Sequence, residues 1–185
     1  PWLKGDQFDA VMNYRFRNAC LDFFVKGKLS PSSFNDTLLK VQKSYPSEVN
    51  YVMQNLLGSH DTERFLTLCE GDKQKMKLAW LLQMTYVGAP MIYYGDEIGM
   101  TGGKDPECRK PMIWDEAMQD GELLSTMRQL VAARNQFEVL RRGRFETFLV
   151  DDKNALFGFL RRGDGDKQLA VVVLNNGASA QELDL

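Results

Sequence analysis

Asn55-Leu56-Leu57-Gly58-Ser59-His60-Asp61-Thr62-Glu63-Arg64 decides how this chain is read. An apolar run stops at the only histidine of the 185 residues, and a carboxylate follows at once. A short buried strand ending in titratable side chains is how parallel α/β barrels present chemistry at their C-terminal face. His60 and Asp61 are therefore the first candidates for a functional pair. The same letters admit a plainer reading. Asp61 would then cap a helix through Phe65 and Leu66, its carboxylate accepting N–H groups of the first turn, and His60 would be a satisfied histidine at a strand end.

On the N-terminal side, residues 8–14 are expected to form a strand, and a polar, aromatic helix is expected from Arg15. Ser30 followed by Pro31 predicts a second helix, with Phe34, Leu38 and Val41 at helical spacing and Pro46 as its stop. Residues 55–59 are the next strand. Residues 73–87 give the clearest helical pattern, Leu78, Leu81, Leu82, Thr85 and Tyr86 sharing one face. Gly88 and Pro90 end it, and residues 90–94 read as a third buried strand. A long loop rich in glycine and charge follows, carrying Gly102, Gly103, Lys104, Asp105, Pro106 and Arg109; structureless stretches of that length in compact domains commonly carry function. Leu123, Met127, Leu130, Val131 and Arg134 mark a last amphipathic helix.

Near residue 138 the pattern changes from helical to alternating. Residues 144–150, 156–160 and 169–174 are expected strands, separated by turns such as Gly163-Asp164-Gly165-Asp166. The expected organisation is an α/β unit over 1–138 and part of an all-β unit over 139–185. Three strand-helix units imply a parallel sheet, but an eight-stranded barrel needs ~250 residues.

Composition narrows the function. Hydrophobic residues make up 44% and charged residues 26%, with a formal net charge of −2. The chain thus reads as soluble and globular, with no general attraction to nucleic acid or to an anionic membrane. Arg141, Arg142 and Arg144 form a local basic cluster, read as a solvated turn because no aromatic stacking surface is interleaved with it. Cys20, Cys69 and Cys108 are odd in number and irregular in spacing, which indicates neither a disulfide framework nor a zinc site and suits a reducing, cytoplasmic setting. No cofactor is expected. Asp96, Glu97 and Asp105 match no defined calcium loop, and Gly99, Gly102 and Gly103 lack the Lys-Ser or Lys-Thr of a phosphate loop.

In a parallel barrel all loops after strands share one rim, so His60-Asp61 and Asp105 with Arg109 are expected to converge on one ligand. Carboxylates, an arginine fork and an imidazole suit a neutral, hydroxyl-rich substrate whose transition state gains positive charge. Sugars are the obvious candidates.

These residues also carry a family resemblance. The stretch 55–64 resembles the fourth signature region of the α-amylase family of glycoside hydrolases. Gly88-Ala89-Pro90-Met91-Ile92-Tyr93-Tyr94-Gly95-Asp96-Glu97-Ile98-Gly99 resembles the segment around that family's eighth barrel strand. Within the family, Asp6-Gln7-Phe8-Asp9-Ala10-Val11-Met12-Asn13-Tyr14 and Asp105-Pro106-Glu107-Cys108-Arg109-Lys110-Pro111-Met112-Ile113-Trp114-Asp115 look most like cyclomaltodextrinase, neopullulanase and maltogenic amylase.

The resemblance implies the last three βα units of a (β/α)8 TIM barrel plus part of a C-terminal antiparallel β-sandwich. It implies that Asp61 is the third catalytic acid, steadying the distorted, oxocarbenium-like transition state, with His60 binding substrate beside it and Asp105 and Arg109 anchoring the sugar. Asp96 and Glu97 are expected to be structural rim residues. In the family the nucleophilic aspartate and the acid glutamate follow the fourth and fifth strands, whereas the first strand here resembles the sixth and Pro1-Trp2-Leu3 looks like sequence just past the glutamate.

The expectation is thus a C-terminal fragment of a retaining enzyme for α-1,4-glucosidic bonds of cyclodextrins, pullulan or maltodextrins, inactive alone. Its partners would be the α-glucan and the missing N-terminal part of the barrel. A non-catalytic carbohydrate-binding or scaffolding module is the alternative. Unpaired sheet edges lead one to expect aggregation or a homo-oligomer when the chain is isolated.

Overall fold

The computed structural model describes residues 3, 5–163, 165 and 168–184. Pro1 and Trp2, and Asp164 and Asp166 of the expected turn over 163–166, lie outside the described residues.

Helix α1 (Tyr14–Cys20) begins where Asn13 turns its side-chain oxygen back to accept the Phe16 N–H at 3.1 Å, satisfying one of the free donors of the first turn. It continues into a π-helical turn, Leu21–Val25. Helix α2 (Pro31–Lys43) has the expected start: the Ser30 hydroxyl accepts the Ser33 N–H, and Pro31 sits where its missing N–H costs nothing. The one-turn α3 (Ser47–Asn50) leads into β1 (Gln54–Leu56). Then follow α4 (Phe65–Leu68), α5 (Lys73–Thr85), β2 (Ala89–Met91), α6 (Gly121–Gln136) and α7 (Glu138–Arg142). Strands β3 (Arg144–Asp151), β4 (Leu156–Arg162) and β5 (Leu169–Asn175) complete the order. Among the described residues no helix is long and apolar enough to cross a membrane.

β1 and β2 are parallel, Gln54 opposite Ala89 and Leu56 opposite Met91. On the other edge of β1, Met12 forms a lone parallel bridge to Gln54. The strand expected over 8–14 therefore shrinks to one bridge, for a physical reason. Phe8 is exposed rather than buried in the core, so burial does not hold its end of the segment in register, and Asn13 is drawn into capping α1. The other two parallel strands are also shorter than expected, each three residues long.

Polar side chains stitch this small sheet together. Buried Asn55 accepts from Asn13 Nδ2 at 2.9 Å and donates to the Val87 carbonyl at 2.8 Å, while Gln83 of α5 donates to the carbonyls of Asn55 and Met91. Gly88 admits no side chain: its φ is +118°, and a Cβ would lie 2.5 Å from Asn55 Nδ2.

β3, β4 and β5 form an antiparallel sheet with β4 in the middle, at the expected positions. Its inner face joins the helices in one core. Phe23 stacks on Phe34 at 4.2 Å, Phe34 meets Phe157 edge-on at 5.3 Å, and Tyr86 bridges Phe16 and Phe145. The two expected units thus share a hydrophobic core, and the change of pattern near residue 138 falls at the start of a helix, α7, rather than of a strand.

Two buried arginines fasten the junction. Arg134 of α6 donates to the carbonyls of Met84, Tyr86, Gly88 and Leu140, and Arg161 of β4 donates to those of Thr85, Leu140 and Gly143. Their partners include the carbonyls at the end of α5, the negative end of a helix dipole. Burial lowers both guanidinium groups to about 10, so both remain charged at neutral pH. Arg141 of the basic cluster is likewise engaged, donating to the carbonyls of Arg134 and Asn135.

Candidate sugar-binding site

β1 is followed by Leu57-Gly58-Ser59, and the chain then turns outward. Gly58 is required by closeness: a Cβ there would lie 2.8 Å from Asp96 Oδ2. Ser59 is buried and His60 and Asp61 are not, their side chains being 58% and 56% exposed. Asp61 caps no helix. α4 begins only after Arg64, and the Asp61 N–H donates to Ser59 Oγ at 3.2 Å.

The loop after β2 brings Asp105 and Arg109 to the same place. Arg109 Nε lies 3.0 Å from Asp105 Oδ1 and donates to the His60 carbonyl at 2.9 Å, and Arg109 Nη2 lies 3.6 Å from Asp61 Oδ1. His60 Nε2 is 3.2 Å from Asp61 Oδ1. All four expected site residues thus meet, with the guanidinium fork at the centre. Each charged side chain is about half exposed, so these ion pairs add little to stability; their value is geometric. What faces solvent is a cluster of two carboxylates, an imidazole and a guanidinium, which matches the donors and acceptors of vicinal hydroxyls.

Beneath the cluster lies a support that sequence reasoning missed. Arg64 is fully buried; its Nη1 donates to the Tyr94 carbonyl at 2.7 Å and to Asp96 Oδ1 at 2.9 Å. Its guanidinium carbon sits 4.6 Å from the Tyr93 ring centre and 4.9 Å from that of Tyr94, within cation–π range. The two tyrosines in turn hold the second loop on either side of Arg109: Tyr93 Oη donates to the Cys108 carbonyl at 3.2 Å and Tyr94 Oη to the Lys110 carbonyl at 2.6 Å. The backbone N–H of Arg64 also donates to the Gly102 carbonyl.

Asp96 therefore corrects an expectation. It is a buried brace, 3% exposed, rather than a rim residue. Burial pushes its carboxyl up to about 7, with Arg64 pulling the other way. The sequence did carry a signal for this support. Arg64 stands directly before Phe65-Leu66, and a charged residue entering an apolar run next to a candidate site calls for a buried partner.

The family model for the α-amylase catalytic domain matches residues 1–138. The chain is 50% identical over 181 residues to a cyclomaltodextrinase of Geobacillus thermopakistaniensis, covering 98% of this chain and 31% of that protein. It is 45% identical over 176 residues to neopullulanase 2 of Thermoactinomyces vulgaris, covering 95% and 30%. Among solved structures it resembles the cyclic α-maltosyl-(1→6)-maltose hydrolase of Arthrobacter globiformis in complex with cyclic α-maltosyl-(1→6)-maltose. There the TM-score is 0.88 at 37% identity, covering 94% of this chain and 38% of that one. The chain thus spans less than a third of the length of these two curated relatives. With its match to the catalytic-domain model over three-quarters of its residues, the chain belongs to the α-amylase family.

Proposed function

We propose that the chain supplies one wall of the cleavage subsite in a retaining glycoside hydrolase acting on α-1,4-glucosidic bonds of cyclodextrins, pullulan or maltodextrins. In this reading its first 138 residues are the last three βα units of a (β/α)8 barrel, and the rest opens the β-sandwich that follows. The observation that carries the proposal is Arg109, which joins Asp105, Asp61 and the His60 carbonyl across two loops that leave neighbouring parallel strands.

Retaining hydrolysis passes through a positively charged, oxocarbenium-like transition state, and contacts to sugar hydroxyls strengthen there. Asp61 would supply negative charge and accept hydroxyl protons at that point, His60 would bind a hydroxyl alongside, and Asp105 with Arg109 would fix the sugar's orientation. Asp61 is neither nucleophile nor general acid in this scheme. Those two carboxylates, which must stand about 5–5.5 Å apart, would come from barrel units other than the three assigned to this chain. A cytoplasmic setting accords with the three buried, unpaired cysteines.

The test is a hydrolysis assay with maltotriose and β-cyclodextrin on the isolated 185 residues. No turnover above the uncatalysed rate is expected. Turnover at enzyme-like rates, abolished by Asp61→Ala, would overturn the claim that the chain lacks the nucleophile and acid.

The same reading predicts self-association of the isolated chain. The edge of β2 and the outer side of α6 leave an apolar groove lined by Ile92, Tyr94, Leu124, Met127, Val131 and Ala132, and Phe8 and Val52 are exposed on other elements. In a closed barrel, other units would cover such surfaces. Sedimentation velocity should show the average mass rising with concentration in the micromolar range; a monomer at every concentration would count against it.

A further inference from the structure

His60 and Asp61 present a mechanical difficulty. Their side chains are more than half exposed, so packing does not hold them, yet a subsite of the kind proposed above needs them fixed to a fraction of an ångström. One peptide unit joins them, and both of its polar groups are gripped from opposite directions. Its carbonyl, that of His60, accepts from Arg109 Nε at 2.9 Å and from Cys108 Sγ at 3.3 Å. Its N–H, that of Asp61, donates to Ser59 Oγ at 3.2 Å.

We propose that Ser59 and Cys108 are positioning residues that lock the plane of the His60–Asp61 peptide and thereby aim both side chains at the sugar. The inference rests on the subsite reading and deepens it. A peptide plane has one soft rotation, about the axis through its flanking Cα atoms, and hydrogen bonds to the C=O and N–H on opposite sides of that axis oppose it in both senses. Both locking residues are themselves immobile. Cys108 is fully buried, and its own carbonyl accepts from Tyr93 Oη. Ser59 is 1% exposed, and its hydroxyl also meets Tyr14 Oη at 3.1 Å and Thr62 Oγ1 at 3.4 Å. Tyr14 opens α1, so the grip on Asp61 reaches back to a third element of the fold.

The serine has a specific reason to be there. Its Oγ accepts the Asp61 N–H while its own hydrogen remains free for Tyr14 or Thr62, a double use that alanine or valine cannot reproduce. The cysteine thiol is a weak donor, but it shares its acceptor with a charged one, so its part is to set where that carbonyl points.

The experiment uses the complete enzyme with the variants Ser59→Ala, Cys108→Ala, Cys108→Ser, Tyr14→Phe and Asp61→Asn. Two readouts are measured: kcat and KM separately on maltotriose, and the inhibition constant of a cationic, ring-flattened pseudo-oligosaccharide that mimics the transition state. The inhibition constant does not depend on what fraction of the protein is folded, so a merely structural defect leaves it unchanged. Ser59→Ala and Cys108→Ala are each expected to lower kcat by about 10- to 100-fold with KM within about threefold, and to weaken the inhibitor in parallel. Cys108→Ser, whose hydroxyl still donates, should restore both to within about threefold of the parent. Tyr14→Phe removes only the hydroxyl that supports Ser59 and should move both quantities in the same direction by less, which keeps the test available should an alanine variant fail to fold. Unchanged inhibitor affinity in the alanine variants and in Tyr14→Phe, with Asp61→Asn inactive, would overturn the positioning roles. An active Asp61→Asn would instead overturn the subsite reading beneath them.

Discussion

Replacing Asp61 with asparagine in the complete enzyme is expected to lower kcat/KM by about two to three orders of magnitude, the equivalent of ~3–4 kcal/mol of lost transition-state stabilisation. Asparagine has the same shape and keeps one oxygen acceptor, but it carries no charge. It therefore isolates the effect on which the proposed role of Asp61 rests, the attraction between a carboxylate and a sugar ring that becomes cationic on the way to the transition state. A ground-state glucose unit is neutral and gains far less from that charge, so the loss should appear mainly in kcat. The substitution should hardly disturb the fold. Asp61 caps no helix and its side chain is 56% exposed, and the peptide grip on its backbone does not use the carboxylate. Its removal does free Arg109 Nη2, but Asp105 remains 3.0 Å from the same guanidinium. Steady-state kinetics on maltotriose beside a urea denaturation curve would separate the two effects. A variant with kcat/KM within tenfold of the parent and the same stability would show that Asp61 does not bear on the reaction.

What could be read from the sequence follows from the range of the forces involved. The cap of α2 and the existence of α5 are local, and they stand where Ser30, Pro31 and the 73–87 pattern put them, although α5 also buries Met76, Ala79, Trp80, Gln83 and Met84, outside the expected stripe, and leaves Leu78 and Leu81 half-buried. The strands of the antiparallel sheet were legible as well: β3 alternates exposed and half-buried positions, and β4 and β5 are short apolar runs set off by turn residues. The strand over 8–14 was not, because its last residues are claimed by the start of α1, where Asn13 caps the helix, so that only Met12 bridges to Gln54.

Of the four exposed candidate residues, His60 and Asp61 stood out in the sequence because they end an apolar run, and Asp105 and Arg109 because their loop is long and charged. Arg64, Asp96, Tyr93 and Tyr94 were overlooked or misplaced for the opposite reason: each lies inside or against an apolar run, and nothing in the spacing announces that a guanidinium from one loop lies over two tyrosine rings from another. The same holds for Arg134 and Arg161. Each looks like an ordinary surface cation, one on an amphipathic helix and one in a strand, until the fold brings buried carbonyls to it.

Those carbonyls set the second large expectation. Arg161→Met should destabilise the chain by about 3–5 kcal/mol. Methionine fills much of the volume and has no polar atom of its own to bury, so the cost is the loss of donors at the carbonyls of Thr85 and Gly143, each about 1–3 kcal/mol when left buried without a partner, together with looser packing. Release of a buried charge offsets part of this, but only part, because backbone carbonyls cannot be exchanged for apolar groups in the way that a side-chain partner can. Leu140 still keeps Arg134. Since Arg161 is charged at pH 7, its group having been lowered only to about 10, Arg161→Lys should fall between: it keeps the charge but not the fork that reaches several carbonyls at once. Urea denaturation at a fixed, low protein concentration is the measurement, because self-association adds its own concentration-dependent term. The consequence should also be directional. Arg161 joins β4 to the end of α5 and to α7, so hydrogen exchange in the variant should quicken first at residues 140–146 and 85–88 and only later in the interior of α2. A loss below about 1 kcal/mol, or uniform quickening throughout, would mean that the aromatic core alone holds the sheet to the helices.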